Sequence, residues 1–281
     1  MVQFTEEISK DLKKAKVGNG FFKGILGFQH LIAMFGATVL VPLLTGLDPA
    51  VALFSAGLGT LIFHLCTKGK VPVFLGSSFA FIPVIQVVAK EYGDLRYAQG
   101  GIVTVGLIYV ILSFIIKKIG VDKIRKVLPA QVVGPMIMVI GLNLIPDALK
   151  NAGVNGLLGG ETGAIRNVLI AAVTLGLALI IKHYGKGMLK QVAILIAVVV
   201  GYGISYVMGI VETGAISEAA LLAVPNFTLP KFDLSAIVII VPVVLAVFME
   251  HVGDITTNGQ VVGKNFIEDP GLNRTMLGDG L

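Results

Sequence analysis

Charged residues are scarce in this sequence: Asp, Glu, Lys and Arg together make up 14%, whereas 55% of the residues are hydrophobic. An ordinary soluble domain has about 25% charged residues. The apolar residues form repeated runs of about 20, the length that a helix needs to cross the hydrocarbon core of a membrane. Weakly alternating segments of about ten residues, typical of membrane β-barrels, are missing. The sequence therefore predicts an all-α polytopic membrane protein.

Cysteine and recognisable reaction motifs are scarce as well. The single cysteine, Cys66, excludes an internal disulfide, and we interpret it as a small buried apolar residue. The sequence contains no nucleophile elbow, no phosphate-binding loop and no metal-ligand spacing. We therefore expect neither an enzyme nor a cofactor. The net charge of +5 requires no nucleic acid, because loop lysines and arginines on the inner side of a membrane account for it.

Eight apolar runs lie between clusters of glycine, proline and charge. They cover residues 21–43, 50–66, 71–89, 100–117, 129–148, 166–182, 188–211 and 236–258. Residues 1–20 are expected to form a lysine-rich amphipathic segment that precedes the first run. With the N-terminus inside, only five of the 22 Lys and Arg residues lie outside: Lys90, Arg96, Lys150, Arg166 and Lys231. The positive-inside rule thus predicts a multi-pass protein of the cytoplasmic membrane with its N-terminus inside.

The third run is not expected to be one continuous helix. Pro72 and Pro83 bracket residues 73–82, in which β-type residues surround Gly76 and two serines. Proline removes a backbone donor and clashes with the preceding helical turn. Unwound spans of transporters commonly present main-chain groups to the substrate, so we expect a short β-strand break here. A proline-kinked packing helix is the alternative.

The strongest sign of function is an acidic helix. Glu250 ends an uncharged apolar run, and Asp254, Thr257 and Asn258 continue one polar stripe at helical spacing. Burying a charged residue in a membrane span costs about 3 kcal/mol or more, so such a residue usually marks a substrate or ion pathway. Two carboxylates one turn apart cannot both ionise cheaply, and one is expected to hold a proton. Alternatively, Glu250 only joins helices, or Asp254 lies in cytoplasmic water.

Two of the four histidines, His30 and His251, lie inside predicted spans and away from the span ends. His30 in the first run has two interpretations, a hydrogen-bonded structural residue or a proton carrier, and the first is the commoner role of such a residue. His251 follows Glu250 and precedes Asp254 by three residues, within reach of its carboxylate.

Three blocks of residues carry a resemblance to a known family. They are residues 29–42 (QHLIAMFGATVLVP), residues 76–81 (GSSFAF), and residues 250–254 (EHVGD) with residues 269–272 (DPGL). Across residues 21–281 the chain resembles the nucleobase/ascorbate transporter family, and within it the bacterial uracil permeases. That family has fourteen spans in two inverted seven-helix repeats, so this chain would be its first half, an apparent fragment that stops after the eighth span.

The resemblance implies a division into a core and a gate domain. Residues 1–20 would be a cytoplasmic segment, residues 21–118 core spans one to four, and residues 119–232 gate spans five to seven. Residues 233–281 would hold core span eight and the start of span nine. Movement of the core against the gate would import the substrate, and a homodimer would form through the gate.

The resemblance also implies which residues form the site. Glu250 would bind the base, the backbone N–H of Phe79 would meet it, and Ser78 and Ala37 would line the same site. Asp254 and Glu250 would couple transport to a proton, while Gln29, His30 and His251 would support the site. At the position of Asp254 some uracil permeases have histidine, whereas xanthine and uric acid carriers commonly have aspartate. The family's second conserved carboxylate would come after Leu281.

The expected function is proton-coupled import of a nucleobase, uracil first. A carboxylate and a freed backbone N–H can meet the alternating N–H donors and carbonyl acceptors of such a base. The alternatives are a xanthine or uric acid permease of the same family and, in a different class, a passive channel or an anion exchanger of related architecture. In a channel the broken third span would be a filter.

Overall fold

The computed structural model of the protein describes residues 27, 34, 38–120, 123, 130–161, 163–186, 188–191, 193–211, 214 and 224–281. Its helices are α1 (Pro49–Thr67), α2 (Ile82–Tyr92), α3 (Arg96–Ile119), α4 (Ala130–Asn143), α5 (Ile145–Asn151), α6 (Val154–Leu158), α7 (Ala164–Tyr184), α8 (Met188–Gln191), α9 (Ala193–Val207), α10 (Leu234–Ile240), α11 (Val243–Val262) and α12 (Leu272–Gly280). Single helical turns occur at Phe79–Phe81 and Ile267–Gly271. Within these ranges no residue is in a β-strand.

Among the described residues, four helical stretches are long and apolar enough to cross a membrane. They are α1, α3, α7 and the stretch Leu234–Val262 formed by α10 and α11. Many of their large apolar side chains are exposed, for example Leu65 and Leu245, as expected where lipid is the surrounding solvent. The prediction of an all-helical, multi-pass membrane protein is therefore confirmed in its coarse form.

Proline and glycine divide several predicted runs. The fifth run separates into α4 and α5, because Pro146 lies in the first turn of α5, where proline is tolerated, and not in a helix interior. The eighth run is interrupted by a turn at residues 241–242, where Pro242 separates α10 from α11. In the seventh run α9 ends at Val207, close to Gly209 with its φ of +67°.

The predicted β-strand in the third run is wrong. Residues 72–78 are non-helical, but they form no strand with any described residue. A strand requires a neighbouring strand to complete its hydrogen-bond ladder. Here the Leu75 backbone N–H donates instead to Thr60 Oγ1 of α1 at 3.0 Å. The helical part of the run begins only at Phe79.

The chain divides into two compact units. The described residues of the first unit are 38–120, 123, 130–143 and 225–281, and those of the second are 27, 34, 144–161, 163–186, 188–191, 193–211, 214 and 224. In the first unit α12 packs against both α1 and α3. In the second unit α7 packs against α9, where Gly201 lies beside Thr174. The correspondence of these units to core and gate domains stays a prediction.

An ion cluster holds one end of the first unit together. The Asp94 carboxylate accepts from Arg96 Nη2 at 2.8 Å and from Lys231 Nζ at 3.1 Å. The Lys231 backbone N–H also donates to the Arg96 carbonyl at 2.9 Å. These contacts fix the segment that leads into α10 across the start of α3. The Arg96 guanidinium holds the pKa of Asp94 well below its usual range, because it donates hydrogen bonds to the charged carboxylate.

Gly100 permits this close approach. A Cβ at Gly100 would overlap the Lys231 carbonyl, whereas a Cβ at Gly57 of α1 would meet nothing within 4 Å. Gly100→Ala should lower the free energy of unfolding by about 1–3 kcal/mol, because backbone has to move. Gly57→Ala, which removes a flexible residue from a helix, should not destabilise. Thermal unfolding in detergent measures both variants, and equal melting temperatures would contradict the close packing.

Asp94→Asn tests the ion cluster through its pH dependence. The pKa of Asp94 is lower in the folded protein than in the unfolded chain. Its stabilising contribution is therefore fully present above about pH 4 and is lost as the pH falls further. We expect the variant to melt below the wild type by a constant margin from about pH 5 to about pH 8, and the two to converge in stronger acid. Convergence already near pH 6 would show that the cluster contributes no such stability.

Candidate functional site

Glu250 lies in the middle of the stretch Leu234–Val262 and is half-buried. Ser78 Oγ donates a hydrogen bond to Glu250 Oε2 at 2.6 Å. The same Oγ accepts from the Ala80 backbone N–H at 3.3 Å and so caps the turn Phe79–Phe81. One serine therefore joins the acidic helix to the break in the third run.

The non-helical segment lies along the polar stripe of α11. At its start the Asn258 side chain approaches the Pro72 carbonyl at 3.5 Å, and at its end Ser78 contacts Glu250. No acceptor among the described residues meets the backbone N–H of Phe79. Ser78 is the hydrogen-bond partner of the Glu250 carboxylate, and the backbone N–H that lacks an acceptor in the described ranges belongs to the next residue, Phe79. A carboxylate acceptor and a main-chain donor are therefore neighbours in the candidate site.

Asp254 stands apart from this hydrogen bonding. Its side chain is exposed, and it forms no hydrogen bond or ion pair with the residues that the structure describes. It lies one helical turn from Glu250, close enough for the two charges to repel each other. The sequence predicts that His251 lies within reach of Asp254. The structure shows no hydrogen bond between them, because the His251 ring contacts other helices.

His251 lies at the centre of a second polar contact. Its Nδ1 is 3.1 Å from Asp279 Oδ2, and its Nε2 is 3.0 Å from Thr275 Oγ1, both on α12. The Tyr109 ring of α3 meets the imidazole edge-on with the ring centroids 6.2 Å apart. His251 is only 7% exposed. The turn that presents Glu250 to the third run therefore presents His251 to α3 and α12.

The structure brings together part of the predicted site. Glu250 and Ser78 are hydrogen-bonded, Phe79 follows directly, and Asp254 and His251 lie on the same helix as Glu250. Three predicted site residues lie outside the described part of the chain: Gln29, His30 and Ala37. Their roles stay predictions.

Sequence reasoning missed the partners of His251. Thr275 and Asp279 are four residues apart and share a helix face, a spacing that is visible in the sequence. That segment was interpreted only as the start of another span. Over the ranges that the structure describes, no cluster of three or more His, Cys, Asp or Glu residues could hold a metal ion.

Comparison with known proteins identifies the family. A family model described as "Permease family" matches residues 23–281, and the chain belongs to that family. The chain is 41% identical over 260 residues to the protein named probable uracil permease of Pasteurella multocida, a match that covers 92% of this chain and 61% of that protein. It is also 41% identical over 259 residues to the uracil permease of Escherichia coli K12, covering 91% and 59% of the two chains.

The uracil permease of Bacillus subtilis is 39% identical to the chain over 260 residues, covering 90% of this chain and 60% of that protein. The chain thus spans about three-fifths of the length of the curated relatives that it matches. These matches confirm the resemblance to bacterial uracil permeases. They also confirm that the chain is related to transporters and not to enzymes.

Ser78→Ala tests the contact between the acidic helix and the third run. The substitution leaves the half-buried Glu250 without its hydroxyl donor, which should lower the free energy of unfolding by about 1–3 kcal/mol. Ser77→Ala is the matched control, because Ser77 forms no hydrogen bond with the described residues. Melting temperatures in detergent compare the two, and equal losses would show that the Ser78 contact does not support Glu250.

Proposed function

We propose that the chain forms the substrate-binding first part of a proton-coupled nucleobase importer, with uracil as its substrate. The observation that carries the proposal is the hydrogen bond between Ser78 and Glu250, which joins an intramembrane carboxylate to a non-helical segment. Irregular backbone at membrane depth is tolerated where it lines a cavity, and in transporters it commonly contacts the substrate. The names of the relatives support uracil.

Uracil fits the donor and acceptor groups of this site. Its ring N–H groups donate and its carbonyl oxygens accept, so the Glu250 carboxylate can take an N–H and the Phe79 backbone N–H can meet a carbonyl. Cytosine has a donor where uracil has an acceptor, and it would leave buried polar groups unpaired. Such mismatches give strong rejection. Uracil should therefore bind in preference to cytosine.

Proton coupling would come from the two carboxylates of α11. Glu250 is half-buried and Asp254 lies one turn away, so a proton on one of them relieves the repulsion that two ionised groups would suffer. In this scheme residues 21–118 and 233–281 form a moving core and residues 119–232 a gate. The protein would reside in the cytoplasmic membrane with its N-terminus inside, and a homodimer would form through the gate.

Glu250→Gln is the direct test of substrate binding. The amide presents an N–H donor where the carboxylate accepts, so uracil binding should fall by at least about tenfold, the loss typical of one buried hydrogen bond to a charged group. Glu268→Gln is the matched control, because Glu268 is exposed and lies outside the site. Radiolabelled uracil binding to membranes that contain the protein gives the measurement. Undiminished binding by Glu250→Gln would refute the proposal.

Uptake into membrane vesicles separates the transporter from a channel. A proton-coupled carrier should saturate with uracil and lose accumulation when a protonophore dissipates the proton gradient. Unlabelled xanthine as a competitor tests the alternative that the protein is a xanthine permease. Asp254 is the residue that suggests this alternative. Flux that rises linearly with concentration and ignores the gradient would favour the channel.

A further inference from the structure

The hydrogen atoms around His251 can be counted from its partners. The Thr275 hydroxyl donates to the Leu272 carbonyl at 3.0 Å, and a carbonyl can only accept. With its one hydrogen assigned to that carbonyl, the hydroxyl accepts at its 3.0 Å contact with His251 Nε2. Nε2 therefore carries a hydrogen. This assignment follows from the network, as tautomers do when hydrogens are not seen directly.

The other ring nitrogen faces a carboxylate. Nδ1 of His251 lies 3.1 Å from Asp279 Oδ2, and two lone pairs at that distance would repel each other. Either Nδ1 carries a hydrogen as well, or Asp279 is protonated and donates to Nδ1. In both cases the pair binds one proton more than a neutral imidazole beside an ionised carboxylate.

We propose that His251 and Asp279 form a second proton-binding site, separate from the Glu250 and Asp254 pair, and that this site sets the charge next to Glu250 during transport. The location of the proton rests on the hydrogen-bond geometry alone. Its role in transport rests on the proposed function.

The surroundings of the pair favour a neutral total charge. Two further carboxylates, Glu250 and Asp254, lie on the same helix, and no lysine or arginine forms an ion pair with Asp279 in the described ranges. From α3 the Tyr109 side chain approaches, 3% exposed, and its hydroxyl has no hydrogen-bond partner among the described residues. An unpaired ionised group in such surroundings is costly, whereas a hydrogen-bonded pair that shares one proton costs less. Losing that proton would add a negative charge beside the Glu250 and Asp254 pair.

Nitrogen NMR of histidine-labelled protein locates the proton without any transport measurement. The chain has four histidines, and the signal lost in His251→Gln assigns the ring in question. We expect a protonated Nε2 near neutral pH, together with an Nδ1 that is protonated or accepts a strong hydrogen bond. A bare Nε2 with a protonated Nδ1 would overturn the proposal, because the pair would then hold no additional proton.

Uptake measured against pH tests the role of the pair. Asp279→Asn removes the carboxylate that shares the proton with His251, so the change in uracil uptake between about pH 6 and about pH 8 should shrink at least threefold relative to the wild type, in the range where histidine-linked protons exchange. Asp279→Glu restores a carboxylate and should restore the profile. Asp269→Asn is the matched control, because Asp269 forms an exposed ion pair with Lys70 outside this cluster.

The outcomes separate the two proposals. An unchanged pH profile in Asp279→Asn that still transports would refute the role of the pair in coupling. Absence of uracil uptake by the whole transporter that contains this chain would refute the proposed function and leave the proton location to the NMR result. Should Asp279→Asn fail to fold, the pH profile of Asp279→Glu still tests the role of the pair, and the wild-type NMR spectrum still tests the location of the proton.

Discussion

A carboxylate in the middle of a membrane helix has to be met by polar groups from its neighbours, and Glu250 imposes this requirement on the first unit. Ser78 meets it at 2.6 Å. The hydroxyl of a serine in a continuous helix commonly donates a hydrogen bond to a backbone carbonyl of the preceding turn, as Thr60 does to the Ala56 carbonyl. Because the backbone is non-helical up to Ser78, its hydroxyl is available to Glu250. The break in the third run and the acidic residue therefore depend on each other.

Close helix packing produces the second polar contact of α11. Helix α12 fits against α1 and α3 at glycines: a Cβ at Gly278 would lie 2.9 Å from Phe63, and a Cβ at Gly280 would lie 2.8 Å from the Cβ of Tyr109. Small residues allow helices in membranes to approach in this way. The approach places Asp279 and Thr275 within reach of His251. Larger residues at these two positions would separate the histidine from both partners.

The sequence predicted the long helices and the acidic stripe that begins at Glu250, because both depend on local patterns. Apolar length predicted α1, α3 and α7 to within a few residues, and the spacing of the acidic stripe placed Glu250 inside its span. The prolines around residues 73–82 predicted the break but not its form, since a strand depends on a partner that no local pattern reveals. Asp279 was missed for the same reason: its partner is 28 positions away in sequence and is brought close only by packing.

Glu250 and His251 are consecutive residues, so a rigid α11 moves them together. Their partners belong to different elements, Ser78 to the third run and Asp279 to α12. A displacement of α11 that separates Glu250 from Ser78 also changes the distance from His251 to Asp279, unless α12 moves with α11. A separated histidine and carboxylate would each be left unpaired at membrane depth, which costs several kcal/mol unless a proton is gained or lost. The protonation of the contact between His251 and Asp279 is therefore linked by geometry to the position of α11, which carries both Glu250 and His251.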